Sequence, residues 1–205
     1  MSHNMAPRDY KKIEELDKQL KNDPNDLDLL MAKAFVYFQA YDDENAPKMY
    51  EKIIKLYPKH IDAYFWLAYY LFRIACREEY SVRTSKKGLK LDPNNAALHA
   101  VLAWAIDFGG GDKKEYVPNL KKAIELEPTW ITPRISLIEN LIEKKELKEA
   151  KKEINEASKY TKDSISLSKS DMENEFERIA RRHSSTFKGE LQDFIKKITN
   201  LEIKD

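Results

Sequence analysis

Gly88-Leu89-Lys90-Leu91-Asp92-Pro93-Asn94-Asn95-Ala96-Ala97-Leu98-His99-Ala100-Val101-Leu102-Ala103-Trp104-Ala105 reads as the end of one helix, a proline turn and the start of another. The same order recurs in Lys55-Leu56-Tyr57-Pro58 before Ile61-Asp62-Ala63-Tyr64, and in Glu125-Leu126-Glu127-Pro128 before Ile131. A fainter copy is Lys21-Asn22-Asp23-Pro24 before Leu27. The prolines Pro24, Pro58, Pro93 and Pro128 lie 34, 35 and 35 positions apart. A fixed period of that size marks a stacked array of helices, and it predicts an all-α chain.

Composition agrees. The chain has 205 residues and a formal net charge of +1, so nothing electrostatic singles out nucleic acid or an anionic membrane as its partner. Only five glycines are present, against an abundance of helix-forming Lys, Glu, Leu and Ala. The single cysteine, Cys76, excludes an internal disulfide framework and suits a reducing compartment. Residues 1–20 lack the apolar core of a signal peptide and no window approaches a membrane span; a cytoplasmic location is the expectation.

Taken in order, residues 1–8 are expected to form a flexible tail, and residues 9–160 the repeat array. Tyr10, Ile13, Leu16 and Leu20 make a single apolar stripe, which suits an N-terminal capping helix. Helix pairs follow at about 26–58, 61–93, 95–128 and 130–160. Asp26 is placed to cap the first, and Pro47 sits in the first turn of its second helix, where a missing N–H costs nothing. Gly88 inside a helix should cost about 1 kcal/mol relative to Ala, which points to close packing of two helices rather than to flexibility. The Gly109-Gly110-Gly111-Asp112 run reads as a loose turn between helices. Residues 161–205 are expected to supply C-terminal capping helices or a docking segment, with Phe187, Leu191, Phe194, Ile195 and Ile198 on one stripe.

These residues resemble tetratricopeptide repeats. Tyr64, Leu67, Ala68, Leu71 and Pro93 fit that family's pattern of large, small and closing positions, as do Ala46, Tyr50 and Pro58, and Leu102, Ala103, Tyr116, Leu120, Ala123 and Pro128. Small residues such as Ala34, Ala68 and Ala103 let paired helices approach to about 8–10 Å. Lys33 stands where the first pair usually has Leu, residues 81–88 lack an aromatic, and His99 takes the large position of the third pair. The resemblance covers roughly residues 9–160 in about four repeats. It implies a right-handed helical-repeat solenoid whose first helices line a concave groove, and protein or peptide binding as the usual task.

In that arrangement the groove would present Met31, Phe35 and Phe38, then Phe65, Tyr69 and Phe72, then Trp104 and Asp107, then Ile135 and Glu139. Two readings stand: the rings are core, or they form an apolar trough for an amphipathic helix or apolar peptide. The occupant could be the chain's own C-terminal stripe. The carboxylate clamp of one chaperone-binding subgroup is excluded, because its positions fall on Met31, Phe35, Ala97 and Val101, or on Phe65, Tyr69, Thr132 and Ser136.

No catalytic constellation emerges. His3, His60, His99 and His183 are scattered, no cluster has metal-ligand spacing, and no cofactor is implied. Cys76 has no neighbouring motif and is expected to be buried. The triple glycine lacks phosphate-loop spacing. Arg178, Arg181, Arg182 and His183 follow Glu173, Glu175 and Glu177 and read as a solvated face. The leading function is a non-enzymatic protein–protein interaction module. The alternatives are a dedicated chaperone or inhibitor of one protein and, with little support from a neutral scaffold, an RNA-binding repeat.

Overall fold

A computed structural model describes residues 7–160; the C-terminal stripe from Phe187 to Ile198 lies outside them. Among the described residues the regular structure is entirely helical. It comprises α1 (Pro7–Leu20), α2 (Leu27–Gln39), α3 (Asn45–Leu56), α4 (Ile61–Arg73), α5 (Glu78–Leu91), α6 (Ala96–Ala105), α7 (Tyr116–Leu126), α8 (Ile131–Glu143) and α9 (Leu147–Lys159). Two compact units divide the chain, one up to Tyr116 and one from Val117.

In the first unit each helix packs on the next, and α4 also packs on α6. Two of the proline turns, those at Pro24 and Pro93, restart the next helix by one chemistry, whereas after Pro58 and Pro128 the cap residues His60 and Trp130 make no side-chain cap bond. Asp23 accepts from the Asn25 amide, and Asp92 from the Asn94 amide, each at 3.1 Å. The following polar residue caps the next helix: Asp26 Oδ1 accepts from Leu29 N and Asn95 Oδ1 from Leu98 N, both at 2.9 Å. Each such bond satisfies one of the orphan donors of the first helical turn and stabilises by about 1 kcal/mol. Ahead of α3 the cap residue Glu44 makes no side-chain bond, and Asp42 instead accepts from Asn45 N at 2.8 Å.

Periodicity then selects the buried face. Leu30, Ala34, Tyr50, Ile53, Ala63, Leu67 and Leu71 form one core cluster across α2, α3 and α4. Ala34, Ala68 and Ala103 are fully buried, as close helix approach requires. Gly88 is buried for the same reason: a Cβ there would sit 2.6 Å from Leu98 Cδ1 and 3.1 Å from Tyr64 Cβ. Ser81 is buried on the same face and donates to the Ala68 carbonyl at 2.8 Å, so a polar group sits between helices without an unmet bond.

His99 repeats what Tyr64 does one period earlier. The Tyr64 hydroxyl donates to the Pro58 carbonyl at 2.9 Å; His99 Nε2 meets the Pro93 carbonyl at 3.0 Å. A carbonyl only accepts, so the bond requires the proton on Nε2. An imidazole thus ties its helix back to the proline turn as the phenol does.

Two expectations fail here. The triple glycine is no loose turn. Residues Ile106–Gly110 extend α6 through a wide π-type turn, with Gly109 at φ 107. A Cβ on Gly110 would stand 2.6 Å from the Glu78 carbonyl carbon, so this segment is pressed against the start of α5. Cys76 is exposed, not buried: it lies in the short α4–α5 connection with φ 49, where the chain reverses and no helix covers it.

In the second unit, α8 packs on α9. Ile131, Leu137, Ile138 and Ile142 of α8 and Ala150, Ile154 and Ala157 of α9 are buried. Arg134, 7% exposed, joins the two helices through Glu153 at 2.6 Å.

Candidate functional site: an aromatic face on the first unit

Residues three and four apart share a helix face. Phe35 and Phe38 on α2 therefore stand together, as do Phe65, Trp66 and Tyr69 on α4. The packing of the two helices merges the sets. Trp66 sits at the centre, edge-on to Phe35, Phe38 and Phe65 with centroids 5.5, 5.4 and 5.0 Å away. Phe35 stacks with Phe38 at 5.9 Å, Phe38 with Tyr69 at 6.1 Å, and Phe65 with Tyr69 at 5.9 Å. Offset and edge contacts of this kind add about 0.5–1.5 kcal/mol each beyond area burial. The rings brace one another while Phe35 stays 39% exposed and Phe38, Phe65, Trp66 and Tyr69 stay half-buried.

A second, smaller ring group belongs to α4, α6 and its extension. Phe72 stacks with the half-buried Trp104 at 6.4 Å and meets Phe108 edge-on at 5.4 Å. Phe108 is 68% exposed, the most exposed large apolar side chain described in this region. Asp107 beside it is exposed and receives Lys113 at 3.2 Å.

Not every residue of the sequence-derived strip is surface. Phe72 is buried to 8% exposure and serves as the support on which Trp104 and Phe108 lean. Met31 packs against the Leu30–Tyr50 core. Ile135 and the half-buried Glu139 belong to α8 of the second unit, where Ile135 is buried to 5%. The reason is the same in each case: a 3.6-residue period assigns a stripe to a face but does not say how far a neighbouring helix overlaps it.

Trp66 and Phe108 were missed by the repeat pattern. Trp66 falls between the core positions Tyr64 and Leu67 and the trough positions Phe65 and Tyr69. Phe108 lies just past α6, and the π-type turn carries it on to the ring group. The signal for Trp66 was its spacing from Tyr69.

The electrostatics of the aromatic face are quiet. Tyr70 lies behind Phe38 at 5.5 Å and donates from its hydroxyl to Asp43 Oδ1 at 3.0 Å. Burial above all, with that hydrogen bond, pushes its phenol well above its ordinary value. Tyr50 is raised by burial alone. Among the described residues no three His, Cys, Asp or Glu side chains gather as a metal site would require. No described helix is long and apolar enough to cross a membrane.

No protein-family model matches the chain, and no curated protein matches it. Solved structures do. The MamA RS-1 ArsTM double mutant superposes with a TM-score of 0.66 at 18% identity, covering 78% of this chain and 88% of that one. MamA 41-end from Desulfovibrio magneticus RS-1 gives 0.65 at 18% identity, over 78% and 89%. A further MamA crystal structure gives 0.65 at 20% identity, over 76% and 90%. At these identities the likeness is one of fold. The chain has an all-α, tetratricopeptide-like helical-repeat fold.

Proposed function

We propose that the protein is a non-enzymatic interaction module that holds an amphipathic helix or apolar peptide of a partner protein on the aromatic face of α2 and α4. The observation that carries this reading is the Phe35–Phe38–Phe65–Trp66–Tyr69 cluster, pre-packed yet only partly covered. Rigid aromatic side chains lose little entropy on binding and dominate binding energy where a partner dries them. Met31 packs on the core beneath α2, Phe72 supports Trp104 and Phe108, and these two with Asp107 extend the surface towards α6. Ile135 and Glu139 have no assigned part in it. The expected compartment is the cytoplasm, where an exposed thiol at Cys76 stays reduced.

The test is a photo-cross-linking amino acid in place of Phe35, with Tyr10, 53% exposed on α1, as the control position. Irradiation in the cell of origin should give one dominant protein adduct at position 35 and none at 10. Phe35→Ala with Phe108→Ala should weaken capture of that partner at least about tenfold while leaving the helical circular dichroism intact. Equal adducts at both positions, or capture unchanged in the double variant, would remove the proposal.

A further inference from the structure

A different side of α4 carries a second surface. Tyr64, Leu67 and Leu71 turn away from the aromatic face and floor a furrow whose walls are α3 and α5. Its larger basin holds about 470 Å³, within the usual range for a ligand site. A second basin of about 390 Å³ adjoins it and shares Pro47, Glu51 and Arg77. The two together make a trench along α3.

The trench is polarised. On the α5 wall Arg77, Tyr80, Arg83 and Lys87 recur at three- and four-residue spacing, so three cations share one stripe. Arg83 lies over the Tyr80 ring at 4.5 Å, which holds the guanidinium against the wall, and Tyr80 itself is 58% exposed. Arg83 also faces Glu79 at 3.6 Å in an exposed pair of the kind that is worth little and easily exchanged. Among the described residues neither Arg77 nor Lys87 is in an ion pair, and Glu51 is the one carboxylate lining the larger basin. The smaller basin adds Asp43 and Glu44 against Lys48, so the positive character is confined to one end.

We infer that this end binds a short acidic peptide segment of a protein, its carboxylates on Arg77, Arg83 and Lys87 and one aliphatic side chain against Ile54 and Tyr80. Charge complementarity selects the acid. The floor favours a peptide over a lipid-like anion: Tyr64, Leu67 and Leu71 are only 7, 4 and 5% exposed, so the accessible apolar surface is mainly that of Ile54 and Tyr80, which suits one aliphatic side chain better than a long alkyl tail. Asp43 and Glu44 at the far end keep the acidic stretch short, because like charges repel along the trench.

The probe is a fluorescein-labelled Glu-Leu-Glu-Glu-Leu peptide, its lysine-for-glutamate counterpart the control, read by anisotropy on the full chain. The acidic peptide should bind, weaken as salt rises from 0.05 to about 0.5 M, and lose about tenfold or more in affinity on Arg83→Glu with Lys87→Glu. Both positions are exposed, so circular dichroism should not change; Arg83→Ala with Lys87→Ala gives the smaller loss expected without repulsion. Binding should survive Phe35→Ala with Phe108→Ala, which separates this site from the aromatic face. No binding of the acidic peptide, equal binding of the lysine peptide, unchanged affinity in the charge-reversed variant, or displacement of the peptide by decanoate would each overturn the inference.

Discussion

Replacing Gly88 by Ala puts two well-measured effects in opposition, and the sign of the result reports how α5 is packed. In an exposed helix the change stabilises by about 1 kcal/mol, through backbone entropy alone. Here the new methyl would lie 2.6 Å from Leu98 Cδ1 and 3.1 Å from Tyr64 Cβ. The first contact involves the tip of a side chain, but Leu98 is fully buried, and close-packed surroundings resist its displacement. The second involves an atom one bond from the α4 backbone and cannot yield without moving that helix. Overpacking of this kind costs about 1–3 kcal/mol, so the net is a loss of about 1 kcal/mol, or about 2–4 °C in melting temperature for a chain of this size. Urea denaturation followed by circular dichroism measures it. Leu98→Val removes the clashing atom, so the double variant should be more stable than the sum of the single changes by about 0.5 kcal/mol or more. A gain of about 1 kcal/mol in Gly88→Ala would refute the reasoning, since helix propensity would then be acting without a neighbour.

Other consequences are simpler to read. Gly110→Ala drives a Cβ into the backbone of Glu78, whereas Gly109→Ala meets open space and pays only for φ 107; thermal melts should rank the first as the more damaging. Arg134→Ala leaves Glu153 partly buried without its cation and should cost at or below the low end of about 3–5 kcal/mol, while Arg134→Met with Glu153→Leu should be near neutral in the same denaturation assay. Tyr50 and Tyr70 hold their phenolic protons above the pH at which the unfolded chain releases them, near 10. The folded state therefore binds more protons in that window, and stability falls as pH rises past about 10; Tyr50→Phe with Tyr70→Phe should flatten that limb. Cys76 should react with a thiol reagent in the native protein as fast as in denaturant, and protection would contradict its exposure.

Much of this was legible because the relevant physics is local. Proline after a helix and an aspartate or asparagine two positions on act within a few residues, and alanines for close packing recur at a spacing that can be read off the chain. Asp26, Asn95, Gly88 and Ala68 did what their types and positions indicate. The aromatic face was legible only as spacing. Spacing put Phe35 with Phe38 and Phe65 with Tyr69 on shared helix faces, while Trp66 was hidden because its angle on α4 lies between core and trough. Phe72 and Ile135 were placed outward, although neighbouring packing buries both. Cys76 was misjudged because cysteine's average preference says nothing of a turn at φ 49 that no helix covers.

The sequence by itself determined that the described residues build helices, where those helices stop and restart, and that small residues would carry the closest approaches. The first two follow from hydrogen bonds and sterics between residues fewer than about five apart, and the third from side-chain size repeated at helical spacing. Only tertiary structure decided which rings remain half-covered, that Trp66 joins α2 to α4, and that Arg77 and two cations of α5 face a trench over α4. Exposure is what remains after neighbours have packed, and that depends on the shapes of side chains distant in sequence.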